Sequence, residues 1–272
     1  MTDLALEGVS YRYPGAADWA LDGVDLRIAG GARVALIGQN GSGKTTLVRH
    51  FNGLLRPTSG KVLHDGNDVA GHRVAQLARS VGLVFQDPDR QIFAGSARAE
   101  VEFGPRNLGM HGAELRAAVD EALAAVGLAA FADSNPYDLG ASRRKLLALA
   151  SVQAMRTPVL VLDEPTTGQD LRGVAIVRGH IEEAHLAGRT VIAISHDMSF
   201  VADAFDRVVV LCAGRVVLDG TPGSVFAEPS WEALRSTYLE PPLPAVIGAR
   251  LGLGATPTDA ALLAALGSAA GA

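Results

Sequence analysis

Cysteine, long apolar runs and an excess of basic residues are all missing or scarce in this sequence, and each shortage excludes a class of protein. Cys212 is the single cysteine among 272 residues, so an internal disulfide cannot form and a reducing compartment fits best. No stretch approaches the roughly 18 apolar residues of a membrane span, and Met1-Thr2-Asp3 lacks the features of a signal peptide. We therefore expect a chain that does not itself cross a membrane.

The charge balance argues against nucleic acid as a partner. The formal net charge is -5 at pH 7, which gives no electrostatic reason to expect nonspecific binding to a polyanion. Hydrophobic residues make up 48% of the chain and charged residues 19%. This composition suits one globular domain, with or without an appendage.

The most informative stretch runs from Gly38 to Thr45 and fits the nucleotide-binding pattern of Gly, four residues, Gly-Lys and a hydroxyl residue. It lies between the apolar run 33–37 and a predicted helix over 46–52, as a phosphate-binding loop should. Glycines let the backbone N–H groups wrap a polyphosphate closely, and the helix dipole adds to the anion site. We predict that the following residues bind the nucleotide: Gly38, Asn40, Gly41, Ser42, Gly43, Lys44, Thr45 and Thr46.

Two residues of this loop have specific predicted roles. Lys44 is placed to reach the β and γ phosphates, and Thr45 is placed to put its hydroxyl on a magnesium ion. The alternative is a chance Gly-rich turn, which the strand-to-helix context disfavours.

A carboxylate pair, Asp163-Glu164, follows the continuous apolar run 159–162, which is typical of a central parallel strand. In an open α/β sheet the ligand lies beyond the carboxyl ends of the strands, so this pair and the glycine loop can share one site. We predict that Asp163 holds Mg²⁺ through water and that Glu164 orients or deprotonates the attacking water. The alternative is a solvated pair at a strand end.

Two more predicted strands end in polar residues. Gln86 follows the run 81–85 and could bind Mg²⁺ or a water, although a glutamine there is usually only a strand-end polar residue. His196 follows the run 190–194 and is a candidate γ-phosphate ligand, although a lone histidine is usually structural.

The coarse pattern predicts an α/β fold with a P-loop NTPase core, an antiparallel β subdomain, a helical insert and a small C-terminal helical appendage. Residues 4–13 and 20–28 alternate apolar and polar residues, as half-buried antiparallel strands do. We place an ATPase domain at 1–227, with the insert at about 87–157 and a helix at 114–126 inside it. The appendage covers 228–272, where prolines interrupt an Ala/Leu-rich tail.

Two further features leave alternatives open. Tyr13 lies at a strand end and could stack an adenine ring, but on composition alone a packing tyrosine is favoured. Ser142 is a plausible N-cap for a helix over 143–155, whose first turn carries Arg143, Arg144 and Lys145. These cations fit a helix that faces a triphosphate, or else an ordinary solvated basic turn.

In their order along the chain, these motifs resemble an ABC-type ATPase over residues 3 to about 227. The resemblance implies ATP and Mg²⁺ as cofactors and ATP hydrolysis as the activity. It further implies that Tyr13 is the adenine-stacking aromatic and Gln86 the glutamine loop. Asp163 and Glu164 match the Walker B pair, and His196 matches the switch histidine.

Finer details resemble the energy-coupling-factor subgroup, which drives uptake of vitamins and transition metals. They are Tyr11-Arg12-Tyr13-Pro14, the segment from Phe85 to Phe93, Phe103-Gly104-Pro105 and the proline-punctuated tail. The subgroup implies a second ATPase subunit, a transmembrane coupling subunit and a substrate-binding membrane protein. The location implied is peripheral, on the cytoplasmic face of the cell membrane.

The sequence departs from the family at two places that normally face the other subunit of an ATP-sandwiched dimer. The signature Leu-Ser-Gly-Gly-Gln aligns with Leu139-Gly140-Ala141-Ser142-Arg143, so only the leucine matches. Gln169 stands where the family usually has leucine. We therefore expect a heterodimer with two unequal nucleotide sites, while a homodimer in which Ser142 and Arg143 replace the lost contacts is the alternative.

Two other functions are weaker candidates. A soluble ABC protein acting on nucleic acid or ribosomes would usually need tandem ATPase domains or a long coiled-coil insert. A GTPase fits poorly because the Asn-Lys-x-Asp guanine motif is absent. A small-molecule kinase fits poorly because the helical insert with its Leu139 segment would have no purpose there.

A membrane partner would need a docking surface, which we expect around Gln86 to Phe103. Ile92 and Phe93 are apolar residues just past a strand tip, where a soluble monomer would carry polar ones. The alternative is that both side chains pack inside the insert.

Overall fold

The computed structural model describes residues 2–270, which form an α/β fold with two β-sheets. The smaller sheet contains β1 (Leu4–Tyr11), β2 (Leu21–Ile28), β4 (Ser59–His64) and β5 (Asn67–Asp68). The larger sheet contains β3 (Arg33–Ile37), β6 (Val81–Val84), β7 (Val159–Asp163), β8 (Thr190–Ile194), β9 (Arg207–Cys212) and β10 (Arg215–Gly220). The strand orders are β2-β1-β4-β5 and β10-β9-β3-β8-β7-β6.

The helices lie between and after these strands. They are α1 (Lys44–Phe51), α2 (Val74–Leu77), α3 (Ala97–Asn107), α4 (Gly112–Ala125), α5 (Ala141–Gln153), α6 (Leu171–Leu186), α7 (Met198–Ala204), α8 (Pro222–Val225), α9 (Trp231–Arg235), α10 (Leu243–Arg250) and α11 (Asp259–Ala270). Within residues 2–270, none of them has the length and hydrophobicity to cross a membrane.

Alternating apolar residues explain the smaller sheet. In β1 the side chains of Leu4, Leu6 and Val9 are buried, while several of the residues between them are partly or fully exposed. β1 pairs antiparallel with β2 and β4, so that Leu4 lies opposite Ile28 on one side and His64 on the other. The predicted antiparallel strands are therefore confirmed.

Continuous apolar runs explain the larger sheet, because its central strands are covered on both faces. β7 is buried over its whole length. β3, β6, β7 and β8 run parallel, and their registers align Val84 with Leu162 and Asp163 with Ile194. The carboxyl ends of these strands lie along one edge of the sheet, where the loops that follow them meet.

Helices α3, α4 and α5, between β6 and β7, pack against one another. In α4 the side chains of Leu115, Val119 and Leu123 form a buried face, as the 3.6-residue periodicity predicts. These side chains belong to the same core cluster as buried residues of β6, β7 and β8. The helices and the parallel sheet therefore share one hydrophobic core.

One prediction about α5 is wrong. The helix begins at Ala141, and its N-cap residue is Gly140 rather than Ser142, with no side-chain cap. The Ser142 hydroxyl instead donates to Gln169 Oε1 at 2.7 Å. The acceptor lies 27 residues away in the sequence, so a local capping pattern could not reveal it.

The chain after β10 folds back onto the main core. Phe226 and Leu234 belong to the core cluster of the parallel sheet, and Trp231 Nε1 donates to the Phe226 carbonyl at 2.8 Å. Cys212, the single cysteine, is partly buried at the end of β9. The extreme ends of the two predicted domain ranges, Met1 and residues 271–272, lie outside the described residues.

Candidate nucleotide-binding site

The loop between β3 and α1 has a backbone that requires glycine. Gly38 has φ 149° and Gly43 has φ 103°, a region that side chains other than hydrogen rarely allow. A Cβ on Gly38 would overlap the carbonyl oxygen of Leu211, and one on Gly43 would overlap that of Ala20. The tight packing of this loop against neighbouring backbone therefore depends on both glycines.

Lys44, the first residue of α1, turns its ammonium back into this loop. Nζ donates to the carbonyl oxygens of Gly38 at 2.7 Å and Gln39 at 2.9 Å. Burial lowers the pKa of Lys44, and the nearby carboxylates of Glu164 and Asp163 partly offset this. The acceptors around Nζ are neutral oxygens, so a buried positive charge stands inside a loop shaped for an anion.

Thr45 and Asp163 form a polar pair between α1 and the end of β7. The Thr45 hydroxyl donates to Asp163 Oδ2 at 2.9 Å. Asp163 Oδ1 is buried and has no hydrogen-bond partner among the described residues. Burial, with a contribution from Glu164, raises the pKa of Asp163. A cation here would satisfy the free oxygen and stabilise the charged carboxylate.

Glu164 has a left-handed backbone conformation, with φ 51°. Its N–H donates to the Ile194 carbonyl at 3.0 Å, which ties the end of β7 to β8. Its Oε2 lies 2.7 Å from His196 Nδ1 and accepts from the Thr167 hydroxyl at 3.3 Å. The largely buried carboxylate is thus oriented by two side chains, one of them from the tip of the neighbouring strand.

Two aromatic side chains stand at the mouth of the site. The Tyr13 hydroxyl and Thr46 Oγ1 are 3.0 Å apart, and 38% of Tyr13 is exposed. Trp19, which the sequence analysis did not single out, is 41% exposed, and the Arg12 guanidinium lies 5.1 Å from its ring centre. A tryptophan just before the predicted strand over 20–28 was the available signal. Both rings can offer a face to a planar ligand.

These residues surround a cavity of about 430 Å³. Four residues of its lining were not predicted from the sequence: Asp18, Trp19, Ala20 and Ile194. The rest of the lining consists of predicted residues: Tyr13, Asn40, Gly41, Ser42, Gly43, Lys44, Thr45, Thr46, Gln86, Asp163 and Glu164. Gly38 and His196 are not part of the lining. Gly38 packs against the Leu211 carbonyl at the start of the loop. His196 is connected to the site through its contact with Glu164.

The loop that carries Gln86 is anchored by a residue that sequence reasoning missed. Gln91 Oε1 accepts from the Phe85 N–H at 3.0 Å, and its Nε2 donates to the Ala148 carbonyl at 3.0 Å and to Ser151 Oγ at 3.1 Å. This side chain connects the end of β6 to α5. Gln86 itself is exposed, at the edge of the cavity.

The three basic residues at the start of α5 all have partners within this chain. The Arg143 guanidinium lies 4.4 Å from the ring centre of Phe131. Arg144 pairs with Asp89 at 2.9 Å, and Lys145 Nζ donates to two backbone carbonyls. Arg143 remains exposed to solvent, as in an ordinary basic turn, while Arg144 and Lys145 are half-buried.

Comparison with known proteins places these features in a family context. The sequence profile of the family described as "ABC transporter" matches residues 21–167. An energy-coupling factor transporter ATP-binding protein from Methanospirillum hungatei is 41% identical over 212 residues, covering 78% of this chain and 76% of that protein. Three archaeal putative ABC transporter ATP-binding proteins are 42–46% identical, and the match spans 34%, 72% and 36% of their lengths.

Solved structures agree with the sequence relatives. Clostridium perfringens cbiO1, described as part of the ABC transporter complex cbiONQ, superposes with a TM-score of 0.74 at 36% identity, over 92% of this chain and 98% of that one. A dimeric ATP-binding cassette in a post-hydrolysis state, bound to ADP and Pi, gives a TM-score of 0.73 at 26% identity, over 80% and 98%.

Proposed function

Since this chain belongs to the ABC transporter family of ATPases, we propose that it is the ATP-hydrolysing subunit of a membrane importer for a vitamin or a transition-metal ion. The proposal rests on one observation: Lys44, Asp163 and Glu164 line the same cavity. A phosphate-binding cation, a metal-binding carboxylate and a candidate base are the parts that phosphoryl transfer to water requires.

ATP binding rests on the glycine loop and the aromatic rings. Lys44 meets the β and γ phosphates, and the backbone N–H groups of 40–46 surround them. The negatively charged phosphate oxygens replace the neutral carbonyl oxygens to which the buried ammonium donates in this structure. Tyr13 stacks against the adenine ring at the open side of the cavity.

Mg²⁺ fits the pair formed by Thr45 and Asp163. The Thr45 hydroxyl is a hard oxygen ligand, which this ion prefers. The buried Asp163 Oδ1, which has no hydrogen-bond partner among the described residues, holds the ion through water. Few protein ligands are needed, because Mg²⁺ at such sites keeps several waters and binds substrate phosphates. When bound, the ion neutralises charge that develops on the phosphate oxygens. Gln86, at the edge of the same cavity, orients a water or the ion.

Hydrolysis requires a base beside the γ-phosphate, and Glu164 is the candidate. The His196 ring and the Thr167 hydroxyl both engage Oε2, which leaves Oε1 to accept a proton from the attacking water. His196 is exposed beside Glu164 and is the candidate γ-phosphate ligand. The two residues thus form one unit, in which the histidine sets the direction of the carboxylate.

The importer assignment is supported by the relatives. One is named an energy-coupling factor transporter ATP-binding protein, and the cbiO1 structure is described as part of a transporter complex. We propose that residues 1–227 form the ATPase domain, with its helical insert at about 87–157, and that residues 228–272 form a helical appendage. The chain works at the cytoplasmic face of the membrane with a second ATPase subunit, a transmembrane coupling subunit and a substrate-binding membrane protein.

The surface that meets the coupling subunit lies on the insert, and Ile92 is not part of it. Ile92 is 3% exposed and packs in the core, so that part of the docking prediction is wrong. Phe93 is 61% exposed and Phe103 49%, and their rings meet edge to face at 4.7 Å. Glu100 accepts from the N–H groups of Phe93 and Ala94, which holds this loop in place. A rigid, exposed aromatic pair is suited to binding an apolar partner.

Purification from native membranes tests the importer assignment. The chain should copurify with a membrane-spanning subunit and with ATPase activity that requires Mg²⁺. A chain recovered only as a soluble ATPase without membrane partners would contradict the importer assignment.

A further inference from the structure

Lys145, in the second turn of α5, reaches across to the loop that follows β7. Its Nζ donates to the carbonyl oxygen of Glu164 and to that of Thr167, each at 2.8 Å. The ammonium is partly buried, and burial lowers the pKa of Lys145. Its hydrogen bonds therefore go to the backbone of the segment that starts with the candidate base.

The residue whose carbonyl accepts from Lys145, Glu164, has a strained backbone conformation. Glu164 has φ 51°, where a residue with a Cβ is disfavoured and persists only if the surroundings hold it. The strand side of Glu164 is held by its N–H bond to the Ile194 carbonyl. On the other side, the carbonyl of Glu164 accepts the short bond from Lys145. The two bonds together fix the direction in which the Cα–Cβ bond of Glu164 leaves the backbone.

A second link holds the far end of the same loop to the same helix. Gln169 Oε1 accepts from the Ser142 hydroxyl at 2.7 Å, and Gln169 Nε2 donates to the Ser142 carbonyl at 3.1 Å. The loop 164–169 is thus fastened to α5 at its beginning, middle and end. Lys145 makes the only one of these links that touches Glu164 itself within the described part of the chain.

We infer that Lys145 is a positioning residue for ATP hydrolysis: its ammonium fixes the left-handed backbone of Glu164 and thereby aims the Glu164 carboxylate at the attacking water. The inference rests on the proposed role of Glu164. Lys145 does not touch the nucleotide cavity, because it acts from behind the loop through a carbonyl oxygen. Its loss should therefore affect turnover more than ATP binding.

The test compares Lys145→Met with Lys145→Arg in the full chain, with Lys61→Met as the control on the exposed edge of β4. Lys145→Met should lower kcat by up to about 100-fold, the effect of a small misplacement of a catalytic group, while KM for ATP stays within a factor of about two. Lys145→Arg should recover part of the loss, because a guanidinium can also donate to both carbonyls. Amide hydrogen exchange in a peptide covering 164–169 should rise more in Lys145→Met than in Lys145→Arg and should not change in Lys61→Met.

Glu164→Gln, measured in parallel, separates this inference from the proposed function. If Glu164→Gln turns over like the wild type, the role of Glu164 fails, and hydrogen exchange alone then decides whether Lys145 fixes the loop. If Glu164→Gln is inactive but Lys145→Met has wild-type kcat and unchanged exchange, the inference about Lys145 is wrong. Should Lys145→Met not fold, Lys145→Gln, whose shorter side chain keeps an NH2 group but loses the charge, takes its place with the same criteria.

Discussion

Ser142 and Gln169, the residues at two positions where the sequence departs from the family pattern, are hydrogen-bonded to each other. The Ser142 hydroxyl donates to Gln169 Oε1 at 2.7 Å, and Gln169 Nε2 returns a bond to the Ser142 carbonyl at 3.1 Å. Gly173 leaves the space that the Gln169 side chain fills, since a Cβ there would overlap it. The two departures therefore form one structural unit within this chain. The Ser142 hydroxyl is engaged in this unit.

Lys44 and Glu164 should fail in different ways when mutated. Lys44→Ala removes the charge that we propose meets the β and γ phosphates and should abolish productive ATP binding. Glu164→Gln keeps the side chain's shape and should retain binding, while losing a positioned base lowers turnover by about 10² to 10⁴. Nucleotide titration and steady-state hydrolysis on both variants separate the defects. Near-normal turnover in Glu164→Gln would exclude Glu164 as the base.

Asp163 should determine how strongly ATP binding depends on Mg²⁺. Asp163→Asn removes the charge that the ion neutralises, so the gain in ATP affinity on adding Mg²⁺ should fall by about tenfold or more. ATP titrations with Mg²⁺ and with a chelator measure this gain directly. Asp120→Asn, at an exposed ion pair with Arg98, is the control. If Mg²⁺ still enhances binding fully in Asp163→Asn, the metal is held elsewhere.

Tyr13 and Trp19 offer two candidate faces for adenine, and mutation can tell them apart. If Tyr13 stacks on the base, Tyr13→Ala should weaken ATP binding by about 1–3 kcal/mol, the worth of one stacked base. Binding of tripolyphosphate, which has no base, should not change. Trp19→Ala should have the smaller effect on ATP. A larger loss of ATP affinity in Trp19→Ala than in Tyr13→Ala would indicate that Trp19 stacks on the base.

Much of the fold could be predicted because the signals are local. The apolar runs of β7 and β8 and the periodic face of α4 lie within single segments, and the structure has Gly112–Ala125 and Thr190–Ile194 close to where the pattern predicts them. The convergence of strand ends followed from a general rule on parallel sheets. These inferences need no knowledge of which distant residues touch.

The errors and omissions concern long-range contacts. Ser142 looked like a helix cap because its type suits that place, yet its partner is Gln169 in another segment. Ile92 and Phe93 are adjacent apolar residues with opposite environments: Ile92 belongs to the core cluster, whereas Phe93 is exposed. Lys145 fits a basic turn by type, but its acceptors belong to the loop after β7. Side-chain partners across elements do not appear in local patterns.

Phe93 should be required for assembly and not for folding. Phe93→Glu places a charge on the exposed aromatic pair and should abolish copurification with the membrane subunit, while the melting temperature changes little. Leu186→Glu is the matched control, because Leu186 is 77% exposed at the end of α6. Ile92→Glu should instead destabilise the fold, since it buries a charge in the core. Unchanged assembly in Phe93→Glu would place the docking surface elsewhere.

The unusual segment Leu139 to Arg143 should keep ATP hydrolysis slow when this chain acts without a partner. Gly140 carries no hydroxyl, the Ser142 hydroxyl is bound to Gln169, and the Arg143 guanidinium lies against Phe131. In the dimer we propose, this segment faces the partner's nucleotide, so the site that uses it should be slow. The site that uses this chain's Glu164 should turn over when the partner supplies an intact signature.

Restoring the family signature tests this asymmetry. The variant Gly140→Ser, Ala141→Gly, Ser142→Gly, Arg143→Gln returns a free hydroxyl and close backbone approach at the start of α5. ATP hydrolysis by this chain without a partner should then rise by up to about 100-fold, because removing a single hydrogen-bond donor to a transition state typically lowers kcat by about that factor. Arg156→Gln, at an exposed ion pair with Glu121, controls for the loss of charge. If the unmodified chain alone forms ATP-dependent homodimers that hydrolyse as fast as the restored variant, Ser142 and Arg143 do replace the lost contacts. The natural assembly would then need no second kind of ATPase subunit.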